Sequence, residues 1–137
     1  MPNRSMPPGT IIPVLAYPDA QEAAQWLCRA FGFRMRLIIG NHRIQLQYGE
    51  GSLVVTDGGG AGSPGTGSIM ISVNGLDAHY ANALQNGARI AQEPADHVYG
   101  ERQYTALDPQ GYRWTFSQSI ADIDPLQWGG QWAGEVD

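Results

Sequence analysis

The chain has 137 residues, 42% of them hydrophobic and 15% charged, which suits one compact domain or two small joined modules. Eight arginines, no lysine and 13 acids leave a net charge of −5, which argues against non-specific binding to nucleic acid or to an anionic membrane. Cys28 is alone, so no intramolecular disulfide can form; no apolar run reaches membrane-spanning length and MPNRSMPPGT has no apolar signal region, so a cytoplasmic protein is expected.

In chain order, residues 1–10 read as a flexible arm and 11–17 as a strand, with Pro13 marking an edge or bulge. Pro18-Asp19 opens a helix whose apolar stripe is Ala20, Ala23, Ala24, Leu27, Ala30 and Phe31, stopped by Gly32; Trp26 extends that stripe or marks a contact surface. Cys28 lies inside the helical pattern and reads as a buried structural thiol. Strands follow over 34–39, 43–48 and 52–57, separated by Gly40-Asn41 and Gly49-Glu50-Gly51. The stretch 58–67, GGGAGSPGTG, is a linker; it has no lysine and no helix signal directly after it, so a phosphate loop is not expected.

The second half repeats the order. A strand over 68–73 precedes a helix from Leu76 to Asn86 with Leu76, Tyr80, Ala83 and Leu84 on one face and Gly87 as its stop. A short strand at 89–92 and a loop through Glu93, Pro94, Asp96 and His97 lead into YGERQYTALDPQGYRWTFSQ. That stretch reads as a strand, an Asp108-Pro109-Gln110-Gly111 turn and a second strand. Both halves are therefore βαβββ, 11–57 and 68–119, followed by a tail at 120–137. Pro18 matches Asn74, Gly32 matches Gly87 and Gly51 matches Gly111 at nearly constant separation. The tail carries Trp128 and Trp132, expected to pack on the sheet or on a partner, or else to stack a ligand.

Three segments carry a resemblance: VLAYPDAQEAAQWLCRAFGF, SVNGLDAHYANALQNGARI and YGERQYTALDPQGYRWTFSQ. Together they resemble the vicinal oxygen chelate superfamily, which holds glyoxalases, extradiol dioxygenases and bleomycin-resistance proteins. The fold this implies is α+β, two βαβββ modules forming an incomplete, cupped mixed β-barrel with helices outside. It also implies a homodimer, sometimes module-swapped. Members that use a metal take His, Glu or Gln ligands from four equivalent strand positions. Carried onto this chain, those positions are Ile12, Val55, Ser68 and Thr115. Isoleucine and valine donate nothing and the two hydroxyls are poor donors, so neither a metal nor another cofactor is expected. His42, His79 and His97 fall at none of these positions and read as surface or loop residues.

Alternation through the mapped positions gives the lining of the cup: Ile12, Val14 and Ala16; Leu53, Val55 and Asp57; Ser68, Met70 and Ser72; Arg113, Thr115 and Ser117. Gln45, Gln47, Tyr104 and Arg102 are candidate polar contacts; Arg102 either clamps an anion or pairs with Asp108 or Glu101. A mainly apolar cup with a few hydroxyls suits a small-molecule ligand. The leading expectation is a metal-independent binding protein of the bleomycin-resistance kind, sequestering a drug or aromatic metabolite. The alternatives are a glyoxalase- or dioxygenase-like enzyme (a lyase or oxidoreductase) using residues such as His97 and Glu101, and an accessory dimer without a ligand.

Overall fold

The computed structural model describes residues 3–58 and 66–134; most of the expected linker, at 59–65, lies outside them. The elements are β1 (Val14–Tyr17), α1 (Ala20–Phe31), β2 (Arg34–Ile39), β3 (Arg43–Tyr48), β4 (Gly51–Asp57), β5 (Ser68–Ser72), α2 (Leu76–Gln85), β6 (Arg89–Asp96), β7 (Glu101–Leu107) and β8 (Arg113–Ser119). Two four-stranded mixed sheets result: sheet A in the order β1-β4-β3-β2 and sheet B in the order β5-β8-β7-β6. In each, the first strand runs parallel to the last and forms an edge. The expected α+β pair of βαβββ modules is present, with sheets that do not close into a barrel.

Local chemistry accounts for the elements. Asp19 caps α1 by accepting from the Glu22 N–H at 3.0 Å. Gly32 ends it at φ +86, where its N–H returns to the Cys28 carbonyl. The expected stripe is buried at Ala20, Ala24, Leu27, Ala30 and Phe31. In α2, Leu76 and Ala83 are buried as expected, but Leu84 is 51% exposed. His79 turns inward in its place, one helical turn from both Leu76 and Ala83, so it is not a surface histidine. Its Nε2 lies 2.8 Å from the Phe31 carbonyl and its Nδ1 lies 2.5 Å from the Tyr104 hydroxyl. The Phe31 carbonyl can only accept, so Nε2 carries the proton and Tyr104 donates to Nδ1. Burial lowers the His79 pKa and holds the ring neutral. Asn82 donates to the Arg29 and Ala30 carbonyls beside it, so α2 side chains cap the C-terminal end of α1.

One core joins the modules. Phe31 meets Phe116 at 4.8 Å and Trp114 at 5.5 Å between ring centroids. The Asp108 turn is the second link. Asp108 is 1% exposed and accepts five hydrogen bonds. Its Oδ1 takes the N–H groups of Gln110, Gly111 and Tyr112, each at 3.0 Å. Its Oδ2 takes the Tyr17 hydroxyl at 2.5 Å and the Trp114 indole N–H at 3.0 Å. Tyr17 belongs to β1, so the turn of one module locks onto the first strand of the other. Burial and the Asp108 carboxylate push the Tyr17 pKa far up, which keeps the hydroxyl a donor.

The two modules cap their helices alike, and this fixes their equivalence. The first N–H of α1, on Ala20, goes to Asp57 Oδ1 at 2.9 Å. The first N–H of α2, on Leu76, goes to Gln118 Oε1 at 2.8 Å. Asp57 and Gln118 are therefore mates, and the same offset pairs Val54 with Thr115. Matching Gly51 to Gly111 is one residue out, because the turns differ in length. Only Gly49-Glu50 separates the paired residues Tyr48 and Gly51, whereas residues 108–112 separate Leu107 from Arg113. A one-residue slip moves a side chain to the other face. Val55 and Asp57 accordingly lie on the helix-packed face of sheet A, not in the cup; Val14, Val54 and Thr56 lie on the open face.

Candidate functional site

The face of sheet B turned away from the helices gathers six of the expected residues. Ser68, Met70 and Ser72 pair with Arg113, Thr115 and Ser117 across β5 and β8. The β7–β8 register adds Thr105 opposite Thr115 and Gln103 opposite Ser117, and β6 adds Gln92 opposite Thr105. Thr105 and Thr115 share a hydrogen bond at 2.8 Å, and Gln92 Oε1 lies 3.5 Å from Thr105. A second chain of bonds runs along the same face. Tyr99 donates to Gln103 at 3.0 Å, Gln103 donates to Ser117 at 3.2 Å, and Ser117 donates to Glu101. The chain ends on a carboxylate, so a ligand offering a donor or a positive charge meets an acceptor there. Met70, 63% exposed on the edge strand β5, supplies an apolar contact there.

An aromatic group borders this face. His97 stacks on Tyr99 at 5.1 Å, and Trp128 meets Tyr99 edge-on at 5.5 Å. Gly100 brings the tail close: its carbonyl accepts from Ile120 and Ala121, and a Cβ on it would lie 2.1 Å from the Ala121 oxygen. Trp128 meets Tyr99 yet is 39% exposed, and Trp132 is 68% exposed.

Two of the expected polar contacts are elsewhere. Tyr104 is fully buried on the helix-packed face, bonded to His79 and stacked on Phe116. Arg102 shares that face and pairs with Asp77 and Asp96 at 3.0 and 2.9 Å, not with Asp108 or Glu101. Both corrections have one cause: in β7 the residues opposite Thr115 and Ser117 are Thr105 and Gln103, which puts Tyr104 and Arg102 on the reverse. Ile12 precedes β1 and is half-buried. Gln92, Gln103 and Thr105 were missed. The five-residue turn at 108–112 was the signal for them, since it sets the hairpin register.

A cleft of ≈ 370 Å³ opens between the modules along the free edge of β5, lined by Ile11, Pro13, Tyr48, Ser52, Met70 and Trp114 among others. Ser52 is 8% exposed, and its Oγ has no hydrogen-bond partner. A cleft of ≈ 290 Å³ on the outer side lies between α1 and the Asp108 turn, beside Glu22 and Trp26.

The residues present do not fit a divalent metal. With the corrected register, the four positions used by metal-binding relatives of such a fold carry Ile12, Val54, Ser68 and Thr115. Two of these donate nothing, and the Thr115 hydroxyl is engaged with Thr105. Among the described residues, no three His, Cys, Asp or Glu side chains gather as a ligand set.

Paired βαβββ modules with an open polar face define a class of protein, and sequence comparison places the chain within it. The chain belongs to the Glyoxalase/Bleomycin resistance protein/Dioxygenase superfamily, whose profile matches residues 11–116. The crystal structure of TioX from Micromonospora sp. ML1 is similar at 30% identity, covering 82% of this chain and 99% of that one with a TM-score of 0.71. Lactoylglutathione lyase from Agrobacterium tumefaciens shares the fold at 17% identity, covering 82% of this chain and 96% of its own, with a TM-score of 0.64. Uncharacterized proteins of Mycobacterium bovis and Mycobacterium tuberculosis are 29% identical over 96 residues, or 70% of this chain. The chain spans 59% and 52% of the length of these two relatives. Among the described residues, no helix is long and apolar enough to cross a membrane.

Proposed function

We propose that the protein binds a small molecule without a metal ion, on the open face of sheet B, and sequesters a drug or aromatic metabolite as a binding protein of the glyoxalase/bleomycin-resistance type. The observation that carries this reading is the set Ile12, Val54, Ser68 and Thr115 at the four metal positions. A divalent ion there would lose hydration without recovering charged ligands. Met70 and the Tyr99–Trp128 pair suit a planar ring, and Glu101 suits an amine or another donor on it. A second copy of the chain completes the pocket in this reading, covering Val14 and Met70, which are 54% and 63% exposed.

The test is metal content together with assembly state. Protein equilibrated with Zn²⁺, Mn²⁺, Ni²⁺ and Fe²⁺ and then desalted is expected to retain no stoichiometric metal by plasma mass spectrometry, and to sediment as a dimer. One metal per chain, lost in Thr115→Val, would overturn the metal-free reading; a monomer would overturn the shared pocket. The second reading, an enzyme, is favoured by Glu101 alone. Its carboxylate on the open face is a candidate proton acceptor for a metal-free reaction.

A further inference from the structure

The open face of sheet A carries buried residues, as that of sheet B does at Thr105 and Ser117. Val54 is 2% exposed and Gln45 4%. They are cross-strand partners next to the helix-packed pair Ile44 and Val55, so they point away from α1. The N-terminal arm lies against Gln45. Residues 3–6 form a tight turn: the Met6 N–H returns to the Asn3 carbonyl at 3.1 Å, and Asn3 Oδ1 accepts from the Ser5 N–H and hydroxyl. This turn presents two consecutive carbonyls to the sheet. Arg36 Nη2 donates to the Arg4 carbonyl at 3.0 Å, and Gln45 Nε2 donates to the Ser5 carbonyl at 2.7 Å. Arg36 also donates through Nη1 to Gln45 Oε1, which aims the amide's N–H₂ group outward. Pro7 follows and is buried.

A guanidinium and an amide that orient each other, each donating to a separate backbone carbonyl, form a recognition site for a peptide turn. Further along the same face, Ser52 keeps an unpartnered Oγ at 8% exposure, a donor and acceptor that the arm leaves unused. We propose that the open face of sheet A is a binding site for turn-forming peptide groups, ligands that offer consecutive amide carbonyls. Its resident occupant is the chain's own residues 3–10, which act as a displaceable strap. The Arg36–Gln45 pair is its specificity element, and Ser52 is a further contact for a ligand longer than the strap. This site is separate from the open face of sheet B, and the inference stands whether or not the proposed function holds.

The test uses the full chain. Pro7→Asp places a charge where the arm is buried and is expected to release the strap, with Pro7→Gly as the milder second variant. Release is read as at least a tenfold faster tryptic cut after Arg4 with a cooperative circular-dichroism melt retained. A fluorescein-labelled peptide of sequence MPNRSMPPGT is then titrated by anisotropy up to concentrations on the order of 1 mM. Saturable binding is expected to a released variant, at least tenfold weaker binding to the wild type, and none to the same variant carrying Arg36→Ala. Ser52→Ala is expected to leave the affinity for this peptide unchanged. Equal binding with and without Arg36, no saturable binding to either released variant, or a wild-type arm already cut as fast as the variants would overturn the proposal.

Discussion

Replacing Asp108 tests whether its turn is the link between modules. The side chain accepts five hydrogen bonds, but they are not equivalent. The three N–H donors on Gln110, Gly111 and Tyr112 belong to half-buried residues, where water can replace the carboxylate. The Tyr17 hydroxyl and the Trp114 indole belong to residues 3% and 0% exposed, where it cannot. A buried donor left unpaired costs about 1–3 kcal/mol. Asp108→Ala orphans both and opens a small void, for an expected loss of roughly 3–5 kcal/mol. Asp108→Asn keeps one oxygen for the backbone and turns its N–H₂ group toward Tyr17 and Trp114. Tyr17 can rotate and accept; the indole N–H is donor-only and stays unpaired, so the loss is about 1–3 kcal/mol. The assay is urea unfolding followed by circular dichroism, with the midpoint compared at constant slope. A double-mutant cycle isolates the cause. In a Trp114→Phe background the indole donor is gone, so Asp108→Asn should cost less by about 1 kcal/mol or more. Losses below about 0.5 kcal/mol for both variants, or zero coupling in the cycle, would refute the reasoning.

The His79 geometry sets a pH dependence. Its folded-state pKa lies below the ordinary value of 6.5, so the contribution of the neutral ring is complete above that value and falls as pH drops. There the unfolded chain takes a proton that the folded chain refuses, and the slope reaches at most about 1.4 kcal/mol per pH unit. Urea midpoints measured from pH 7.5 to 5 should fall faster for the wild type than for His79→Gln; parallel curves would contradict the buried neutral ring. The corrected register makes its own forecast. Val55→Lys, on the helix-packed face, should abolish cooperative unfolding, whereas Thr56→Lys, on the open face, should retain it; the reverse order would restore the Gly51–Gly111 equivalence.

Much of the fold was legible because it rests on local signals that tertiary contacts do not override. Asp19, Gly32 and the alanine-rich stripe define α1 from sequence alone, and the Ser-Met-Ser against Ile-Ile alternation phases β5 correctly. The site was legible only where such a phase marker existed. In β4 the sequence marker is a turn glycine, and a three-residue difference in turn length puts Val55 and Asp57 on the helix-packed face. In β7 the sequence ERQYTAL has no clean alternation, and only the hairpin register puts Thr105 and Gln103 on the lining and Tyr104 and Arg102 on the reverse. His79 was hidden for another reason. Its position depends on the carbonyls at the C-terminal end of α1, which no pattern within α2 reveals. The arm, expected as flexible, is bonded to Arg36 and Gln45, residues far from it in sequence.

The central claim is metal-independent binding on the open face of sheet B, and calorimetric titration in excess EDTA tests it most directly. The probes are antibiotics bearing planar aromatic groups, bleomycin among them, titrated into the wild type and into Met70→Arg, which sets a bulky charge at the β5 side of that face. Saturable binding of at least one compound in EDTA, abolished by Met70→Arg, is the predicted result. Binding that appears only when a divalent ion is restored, binding that Met70→Arg leaves intact, or no binding by any compound would contradict it.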